Sequence, residues 1–327
     1  MGRPQLLVTR MLPEEAMEAL RNLGHVDLWE QDEPIPRVVL RNKIKAADGM
    51  LCLLTDHIDV EVLADAHRLC SLSTMAVGYD HIDINACTER GISVGHTPGV
   101  LTESTADLAF SLLLAAGRRV VESADFIKAG LWASWSPTLL LGQEVHGATI
   151  GIVGFGRIGE AMARRAAGFG MRILTYHSSP IDAQALGRYS ATQVSWDTLV
   201  QESDFLTLHV PLTPLTAHMI DGAVLRSMKP TAMLINTARG GLIDTEALYD
   251  ALTAYTIRAA ALDVTDPEPL PPNHPLLSLS NCLVVPHIGS ATVATRTKMA
   301  TMAVENLSAG LRGIPMPNCV NPEVFRS

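Results

Sequence analysis

The sequence has no apolar run long enough to cross a lipid bilayer, although 47% of its 327 residues are hydrophobic. A spanning helix needs about 20 consecutive apolar residues, so we expect no membrane segment. The amino-terminal residues lead directly into a strand-like segment, residues 6–9, which is not the pattern of a signal peptide. The net charge of −9 comes without a basic stripe, so nucleic-acid binding is not expected.

Cysteine is scarce, and its five copies are scattered at positions 52, 70, 87, 282 and 319 with no Cys-x-x-Cys pair. Paired cysteines at short spacing are typical of zinc sites and redox-active dithiols. The scattered pattern favours reduced, mostly buried thiols. We therefore expect a cytoplasmic protein without a bound metal.

A glycine-rich segment, GFGRIG at residues 154–159, lies between an apolar strand-like run and a helical pattern. At a strand-to-helix turn this spacing is typical of dinucleotide binding, and a glycine-rich turn of another α/β protein is the alternative. Gly154 would make the tight turn, Gly156 would let the backbone approach a pyrophosphate, and Gly159 would let helix and strand pack closely. The helix N-terminus would supply N–H groups to the phosphates.

Strands and helices alternate along the chain, which predicts parallel sheets covered by helices. Strands are predicted at residues 6–9, 26–29, 49–53, 72–75, 92–94, 149–153, 172–176, 205–210, 232–236, 259–264 and 283–287. Helices are predicted at residues 13–23, 36–46, 60–66, 104–128, 160–169 and 292–311, and one more after Asp244 and Thr245, whose side chains suit an N-cap. The length favours two domains, with residues 104–128 leading into the nucleotide domain and residues 292–311 returning from it.

Three polar residues stand at the carboxyl ends of successive predicted strands: Arg239, Asp263 and His287. Glu268 follows Asp263 after five residues. Ligands of an open parallel sheet bind outside this edge. Each residue alone has an ordinary alternative: Arg239 in a surface turn, Glu268 as an exposed loop charge, and His287 as a hydrogen-bonded strand-end side chain.

Together these side chains suit the reduction of a 2-oxo acid to a 2-hydroxy acid beside a nicotinamide. The planar arginine fork binds a carboxylate and polarises an adjacent carbonyl. Histidine gives or takes a proton near neutral pH. A neighbouring carboxylate holds the imidazole ring and favours its protonated form.

The chain resembles the D-2-hydroxyacid dehydrogenases over essentially its whole length. The resemblance rests on the glycine-rich turn and on the blocks QDEPIP (31–36), TMAVGYDH (74–81), NTARGG (236–241), DVTDPEPLP (263–271), NHPLL (273–277) and PHIGSAT (286–292). Within the family it is most similar to the branch that reduces glyoxylate to glycolate and hydroxypyruvate to D-glycerate. We expect an α/β protein with a Rossmann-type doubly wound domain at residues 102–288. A smaller flavodoxin-like parallel α/β domain, at residues 1–101 and 289–327, is expected to bind the substrate.

This resemblance implies a role for each site residue. Arg239 would bind the substrate carboxylate and keto oxygen, and Glu268 with His287 would form the proton-donating pair. The remaining substrate contacts would be Leu53, the N–H groups of Val77 and Gly78, and Trp135 reaching into a partner subunit's pocket. Cofactor contacts would be Thr105, Gly154, Gly156, Arg157, Ile158, Gly159, His177, Ser178, Ser179, His209, Pro211, Thr216, Thr237, Ala238, Gly289 and Asp263, the last through the nicotinamide carboxamide.

The second strand of the nucleotide domain is followed by His177, Ser178 and Ser179, with no acid and no arginine. Enzymes that use NAD usually carry an acid about twenty residues after the glycine-rich turn, where it binds the ribose 2′-hydroxyl. An acid there would repel a 2′-phosphate, whereas serine hydroxyls and a protonated histidine would favour it. We therefore favour NADP(H) over NAD(H), with tolerance of both as the alternative.

Two other functions stay open at this stage. Phosphite dehydrogenase has the same fold, but a cationic residue expected before the glycine of the substrate clamp is Val77 here. A dinucleotide-sensing corepressor would be expected to have a long disordered tail or an exposed peptide groove, and the sequence shows no such tail.

Large apolar residues in a predicted loop, Trp132, Trp135 and the run at residues 139–141, are best buried against another subunit. Trp135 has the alternative of a simple interface anchor. The expected assembly is a two-fold homodimer.

Overall fold

In a computed structural model, residues 2–325 are described, and residues 1, 326 and 327, which belong to the predicted substrate domain, lie outside them. The chain forms two compact units. Unit 1 contains the chain up to Leu101 and again from Ala291, and unit 2 contains Thr102–Ser290. Unit 2 is therefore inserted into the sequence of unit 1.

Unit 1 is built on a parallel sheet. Its strands are β1 (Gln5–Val8), β2 (His25–Leu28), β3 (Gly49–Cys52), β4 (Ser71–Thr74) and β5 (Ser93–Gly95). Its first helices are α1 (Glu14–Leu23), α2 (Arg37–Ile44), α3 (Val60–Ala64) and α4 (Ile84–Glu89). Within the described residues the sheet order is β2-β1-β3-β4-β5, which is the flavodoxin-like order that the sequence predicts.

Unit 2 contains a second, larger parallel sheet. Its helices are α5 (Thr102–Gly117), α6 (Val120–Lys128), α7 (Arg157–Gly168), α8 (Ala183–Gly187), α9 (Trp196–Glu202), α10 (Gly222–Ser227) and α11 (Thr245–Thr253). Its strands are β6 (Thr149–Val153), β7 (Arg172–Tyr176), β8 (Thr192–Gln193), β9 (Phe205–Leu208), β10 (Met233–Asn236), β11 (Ala259–Leu262) and β12 (Cys282–Val284). Short 3₁₀ turns cover Gly240–Leu242, Pro275–Ser278 and, in unit 1, Pro322–Phe325.

The strands of unit 2 lie in the order β12-β11-β10-β9-β6-β7-β8 within the described chain. The order reverses at β6, and dinucleotides bind at such a switch point. Strands β6, β9, β10 and β11 are buried along their whole length, as expected for strands covered on both faces by helices. This confirms the predicted Rossmann-type doubly wound sheet.

A long final helix, α12 (Val293–Leu311), belongs to unit 1. Thr292 caps it by accepting a hydrogen bond from the Thr295 N–H at 3.1 Å. Met299, Ala303 and Leu307 on its inner face join the core cluster that also contains residues of β1, β3 and α1. Gly310 must be glycine, because a Cβ there would lie 2.3 Å from the Ser71 hydroxyl of β4.

Several local predictions differ from the structure. The single helix predicted at residues 104–128 is wrong: α5 ends at Gly117, and Arg119 takes a left-handed conformation (φ 51°) before α6 begins. Strand β12 ends at Val284, before the predicted residue 287, and the left-handed conformation of His287 (φ 51°) ends the extended backbone there. The N-cap prediction at Asp244 is confirmed, since its carboxylate accepts from the Ala247 N–H at 3.0 Å.

Candidate active site

The glycine-rich turn joins β6 to α7 with the backbone close to its neighbours. Gly154 has φ 89°, a conformation that favours glycine. A Cβ on Gly159 would lie 2.0 Å from the Gly154 carbonyl oxygen, so helix and strand approach too closely for any side chain. A Cβ on Gly156 would meet nothing within 4 Å, so the backbone there faces open space.

Helix α7 begins at this turn with its N–H groups available to a ligand. Gly156 is its N-cap and supplies no side-chain cap. The first N–H groups of a helix, here those of Arg157 and Ile158, have no intrahelical acceptor. An anion is the partner that such a helix end favours.

Arg239 is presented by a turn that a buried asparagine holds. Asn236, the last residue of β10, is fully buried. Its side-chain NH₂ donates to the Arg239 carbonyl at 2.7 Å, and its Oδ1 accepts from the Ala238 N–H at 3.0 Å. A Cβ on Gly240 would lie 2.0 Å from Thr265, so the Arg239 turn packs directly on the loop that leads to Glu268.

Glu268 and His287 form a hydrogen-bonded pair between the loops that follow β11 and β12. The His287 Nδ1 and Glu268 Oε1 atoms are 2.5 Å apart, and the Thr265 N–H donates to Glu268 Oε2 at 3.2 Å. Since Nδ1 is held by the carboxylate, Nε2 is the nitrogen left to face a substrate. His287 takes φ 51°, a rare conformation for a residue with a side chain.

Electrostatics link this pair to Arg239. Burial is the largest single influence on the pKa of Glu268 and raises it, whereas the hydrogen bond and charge of His287 and the Thr265 N–H lower it. The positive charge of Arg239 adds to this lowering, so the net pKa lies below the ordinary value of a glutamate. Glu268 is therefore ionised at neutral pH, and its negative charge lies beside the His287 ring.

Asp263 organises the loop that carries His287. It is only 1% exposed, and its two carboxylate oxygens accept from the N–H groups of Ile288 at 2.6 Å and Gly289 at 2.8 Å. Burial raises its pKa although these N–H groups act against the rise. The Thr105 side chain of α5 lies beside the same glycine, since a Cβ on Gly289 would be 3.4 Å from it.

The other predicted cofactor residues lie in loops after β9 and β10. Burial lowers the pKa of His209 to about 3, so its ring is neutral, and Nε2 lies 2.9 Å from the Thr207 hydroxyl. Thr216 donates to the Pro211 carbonyl at 2.7 Å and so closes its own loop. The buried Thr237 hydroxyl has no hydrogen-bond partner within residues 2–325.

The loop predicted to distinguish NAD from NADP follows β7. Ser178 and Ser179 are exposed, and His177 is half-buried. The Phe155 N–H of the glycine-rich turn donates to His177 Nδ1 at 3.4 Å. Nδ1 is thus the acceptor in this ring, which ties the loop to the turn.

The predicted substrate residues of unit 1 follow two of its strands. Val77 and Gly78 follow β4, and neither N–H donates a hydrogen bond within the described part of the chain. Leu53 follows β3, and its N–H donates to the carboxylate of Asp56 at 2.8 Å. The Thr9 hydroxyl donates to the same carboxylate oxygen at 2.5 Å. Burial raises the pKa of Asp56.

Trp135 lies in the loop between α6 and β6 and is 79% exposed. Trp132, Leu131 and Leu141 in the same loop are also exposed. Helix α6 has no buried residue along its length. Helix and loop together expose several large apolar side chains of unit 2, interspersed with charged ones such as Asp125 and Lys128.

Three residues that hydrogen-bond to segments carrying predicted site residues were missed by sequence reasoning: Asn236, Asp56 and Gln193. Asn236 stands inside a recognised block, and an asparagine ending an apolar strand was an available signal. Asp56 follows the end of a predicted strand by a few residues, so its position was also a signal in the sequence. Gln193 had no signal, because its importance comes from its pairing with β7.

The residues present fit a dinucleotide. The open backbone at Gly156, the uncapped helix α7 and the unpaired Thr237 hydroxyl are groups that a phosphate-bearing ligand would satisfy. Among residues 2–325, no group of three or more His, Cys, Asp or Glu side chains is arranged to hold a metal ion. No helix in the same range is long and apolar enough to cross a membrane.

Comparison with known proteins agrees with this geometry. Residues 110–289 match the family described as D-isomer specific 2-hydroxyacid dehydrogenase, NAD binding domain. A glyoxylate reductase of Korarchaeum cryptofilum is 48% identical over 99% of this chain and 98% of its own length. A glyoxylate reductase/hydroxypyruvate reductase of Homo sapiens is 45% identical over 96% of this chain and 97% of its own length.

Among solved structures, the NADPH-dependent glyoxylate/hydroxypyruvate reductase of Sinorhizobium meliloti, in complex with NADP and malonate, superimposes with a TM-score of 0.86 at 30% identity. The alignment covers 98% of both chains. The fold, the dinucleotide turn and the full-length similarity therefore point to the same family. The chain is a nicotinamide-dependent oxidoreductase and belongs to the D-isomer-specific 2-hydroxyacid dehydrogenase family.

Proposed function

We propose that this enzyme reduces glyoxylate to glycolate and hydroxypyruvate to D-glycerate with a reduced nicotinamide dinucleotide. The observation that carries the proposal is the 2.5 Å pair of His287 and Glu268, with the charge of Arg239 acting on it. The human and S. meliloti proteins described above bear names with these two substrates, and their similarity supports the same choice here.

In the proposed reaction, Arg239 binds the substrate carboxylate and polarises the keto oxygen through its planar fork. A reduced nicotinamide, when bound, would supply the hydride that the keto carbon accepts. Protonated His287 gives its Nε2 proton to the keto oxygen, which becomes the hydroxyl. Glu268 holds Nδ1 and keeps the ring oriented and protonated beforehand.

Further contacts are part of this proposal through the family resemblance. Asp263, Thr105 and Gly289 would border the nicotinamide, and the α7 N-terminus would bind the pyrophosphate. The N–H groups of Val77 and Gly78 would bind the carboxylate, and Leu53 would line the substrate pocket.

All five cysteines are free thiols, which supports a reducing compartment such as the cytoplasm.

A direct assay tests the function. We expect loss of absorbance at the reduced-nicotinamide band when the enzyme is mixed with glyoxylate or hydroxypyruvate. A panel of larger 2-oxo acids and phosphite, with both nucleotides, ranks the alternatives. Nucleotide binding without turnover of any member would contradict the function and favour a sensing role.

We propose that NADPH is preferred over NADH, because Ser178 and Ser179 place exposed hydroxyls after β7 where no carboxylate opposes a 2′-phosphate. Ser178→Asp is expected to reverse the preference, since a carboxylate repels the phosphate and accepts from a ribose 2′-hydroxyl. A tenfold change in the NADPH-to-NADH ratio of kcat/KM corresponds to a free-energy difference of only about 1.4 kcal/mol. Steady-state kcat/KM values for both nucleotides measure it.

Ser227→Asp, at the exposed end of α10, is the matched control and should leave the ratio unchanged. A wild-type preference for NADH of tenfold or more would show that the absence of an acid after β7 has been misinterpreted.

We propose a two-fold homodimer that buries α6 and the apolar loop after it. An apolar segment with so many exposed side chains is typical of a subunit interface. Sedimentation at micromolar concentration should give twice the mass of one chain. Replacing Trp132 and Trp135 by serine should shift the protein toward monomer, while Val38→Ser, an exposed apolar position on α2, should not. A monomeric wild type would exclude both the dimer and a role for Trp135 in a partner's pocket.

A further inference from the structure

Gln193 makes three hydrogen bonds to the loop at residues 177–181. Its side-chain NH₂ donates to the His177 carbonyl at 3.3 Å and to the Ser179 carbonyl at 3.0 Å. Its Oε1 accepts from the Ile181 N–H at 2.9 Å. One amide group thus spans the loop from its first residue to its last.

These contacts are the main restraint on the loop. Within the described chain, residues 178–181 make no hydrogen bond other than those to Gln193. Ser178, Ser179 and Pro180 are exposed, so packing adds little. The position of the serine hydroxyls therefore depends on Gln193.

The geometry also requires glutamine. Strand β8 pairs with β7 so that Gln193 lies opposite Thr175, close to where the loop begins. An amide offers two donors and an acceptor at once, whereas a carboxylate offers no donor, and lysine or arginine offers no acceptor. An apolar side chain of similar length would leave two carbonyls and one N–H without their partner.

We propose that Gln193 is a positioning residue that determines how the enzyme distinguishes a 2′-phosphate from a 2′-hydroxyl on the adenine-side ribose. This proposal rests on the proposed function in one respect: residues 177–179 must face this ribose. Hydrogen-bond donors held at fixed positions discriminate well between two ligands, because binding does not then cost the conformational entropy of ordering the loop. A loop released from Gln193 places its hydroxyls over a range of positions and loses that discrimination.

The test compares wild type with Gln193→Leu, which removes all three hydrogen bonds, and with Gln193→Glu, which keeps only an acceptor for Ile181. Gln201→Leu, at an exposed position of α9, is the matched control. The readouts are kcat/KM for NADPH and NADH, the dissociation constants of both nucleotides by fluorescence titration, KM for glyoxylate, and the unfolding temperature.

In Gln193→Leu we expect the NADPH-to-NADH ratio of kcat/KM to change by about tenfold toward unity. Gln193→Glu should lower the ratio at least as far, because its carboxylate opposes the two carbonyls and also repels a 2′-phosphate. The value of kcat and the KM for glyoxylate should stay within about twofold, because neither Arg239 nor His287 is touched. An unchanged ratio, or an equal weakening of both nucleotides, would overturn the proposal and leave Gln193 a purely structural residue.

The two proposals fail separately. A wild type that prefers NADH would contradict the assignment of NADPH, yet Gln193→Leu would still have to move the ratio. A wild type that prefers NADPH, with a ratio that Gln193→Leu does not alter, would overturn the role of Gln193 alone.

Discussion

Replacing Arg239 with lysine is expected to reduce kcat/KM for the 2-oxo acid by roughly 30- to 1,000-fold, equivalent to about 2–4 kcal/mol of lost transition-state stabilisation. Lysine keeps the positive charge but not the planar fork that reaches the carboxylate and the keto oxygen together. Its ammonium would still favour an ionised Glu268, so the loss should fall on the substrate and not on the proton donor. Steady-state kinetics with glyoxylate at saturating nucleotide measures the effect.

The control for this variant is Arg172→Lys, whose side chain makes an exposed ion pair with Glu202. It should leave kcat/KM within about twofold, the range expected for a surface substitution. Nucleotide dissociation constants should be unchanged in both variants. Near-normal kcat/KM in Arg239→Lys would remove Arg239 from the substrate site.

Glu268→Gln is expected to move the alkaline fall of the reduction rate to lower pH. The reaction consumes the proton of His287, so the rate falls as pH rises and the ring deprotonates. The amide can still accept a hydrogen bond from Nδ1 but no longer stabilises the positive ring. At pH 8 we expect a loss of roughly tenfold or more in kcat/KM, shrinking toward acidic pH.

The same variant should also change how the free energy of unfolding depends on pH. The pKa of Glu268 is lowered in the folded protein, so its favourable contribution is present above the unfolded pKa and disappears as pH falls through the folded one. Any stability lost in Glu268→Gln should therefore vanish in acid. Glu246→Gln, at an exposed position of α11, serves as the control. A pH–rate profile identical to wild type would count against the pair.

The sheet architecture was predictable because its signals are local. Unbroken apolar runs such as β9 and β10 have few alternatives to a buried parallel strand. Once the strands were placed, the rule that ligands bind at their carboxyl ends brought Arg239, Glu268 and His287 to one edge. The structure places these residues after three strands that are neighbours in the sheet.

What the sequence did not reveal depends on contacts between distant segments. Strand β8 is short and has no apolar alternation, so it exists only through its pairing with β7. The short helices α8 and α10 begin at Asp182 and Asp221 caps that were not recognised, since helices of five and six residues are too short to show a helical repeat of apolar positions. The break after α5 was hidden because Arg119 is an ordinary helix former, and its left-handed backbone is set by its surroundings.

The separation of unit 1 into two stretches of sequence has a consequence for biosynthesis. Every residue of unit 2 is synthesised before α12. Until then the core of unit 1 lacks Met299, Ala303 and Leu307, and the apolar faces of β1 and α1 stay open to water. We therefore expect unit 2 to acquire its native structure first during translation and unit 1 to be completed last, when the nascent chain is most sensitive to aggregation.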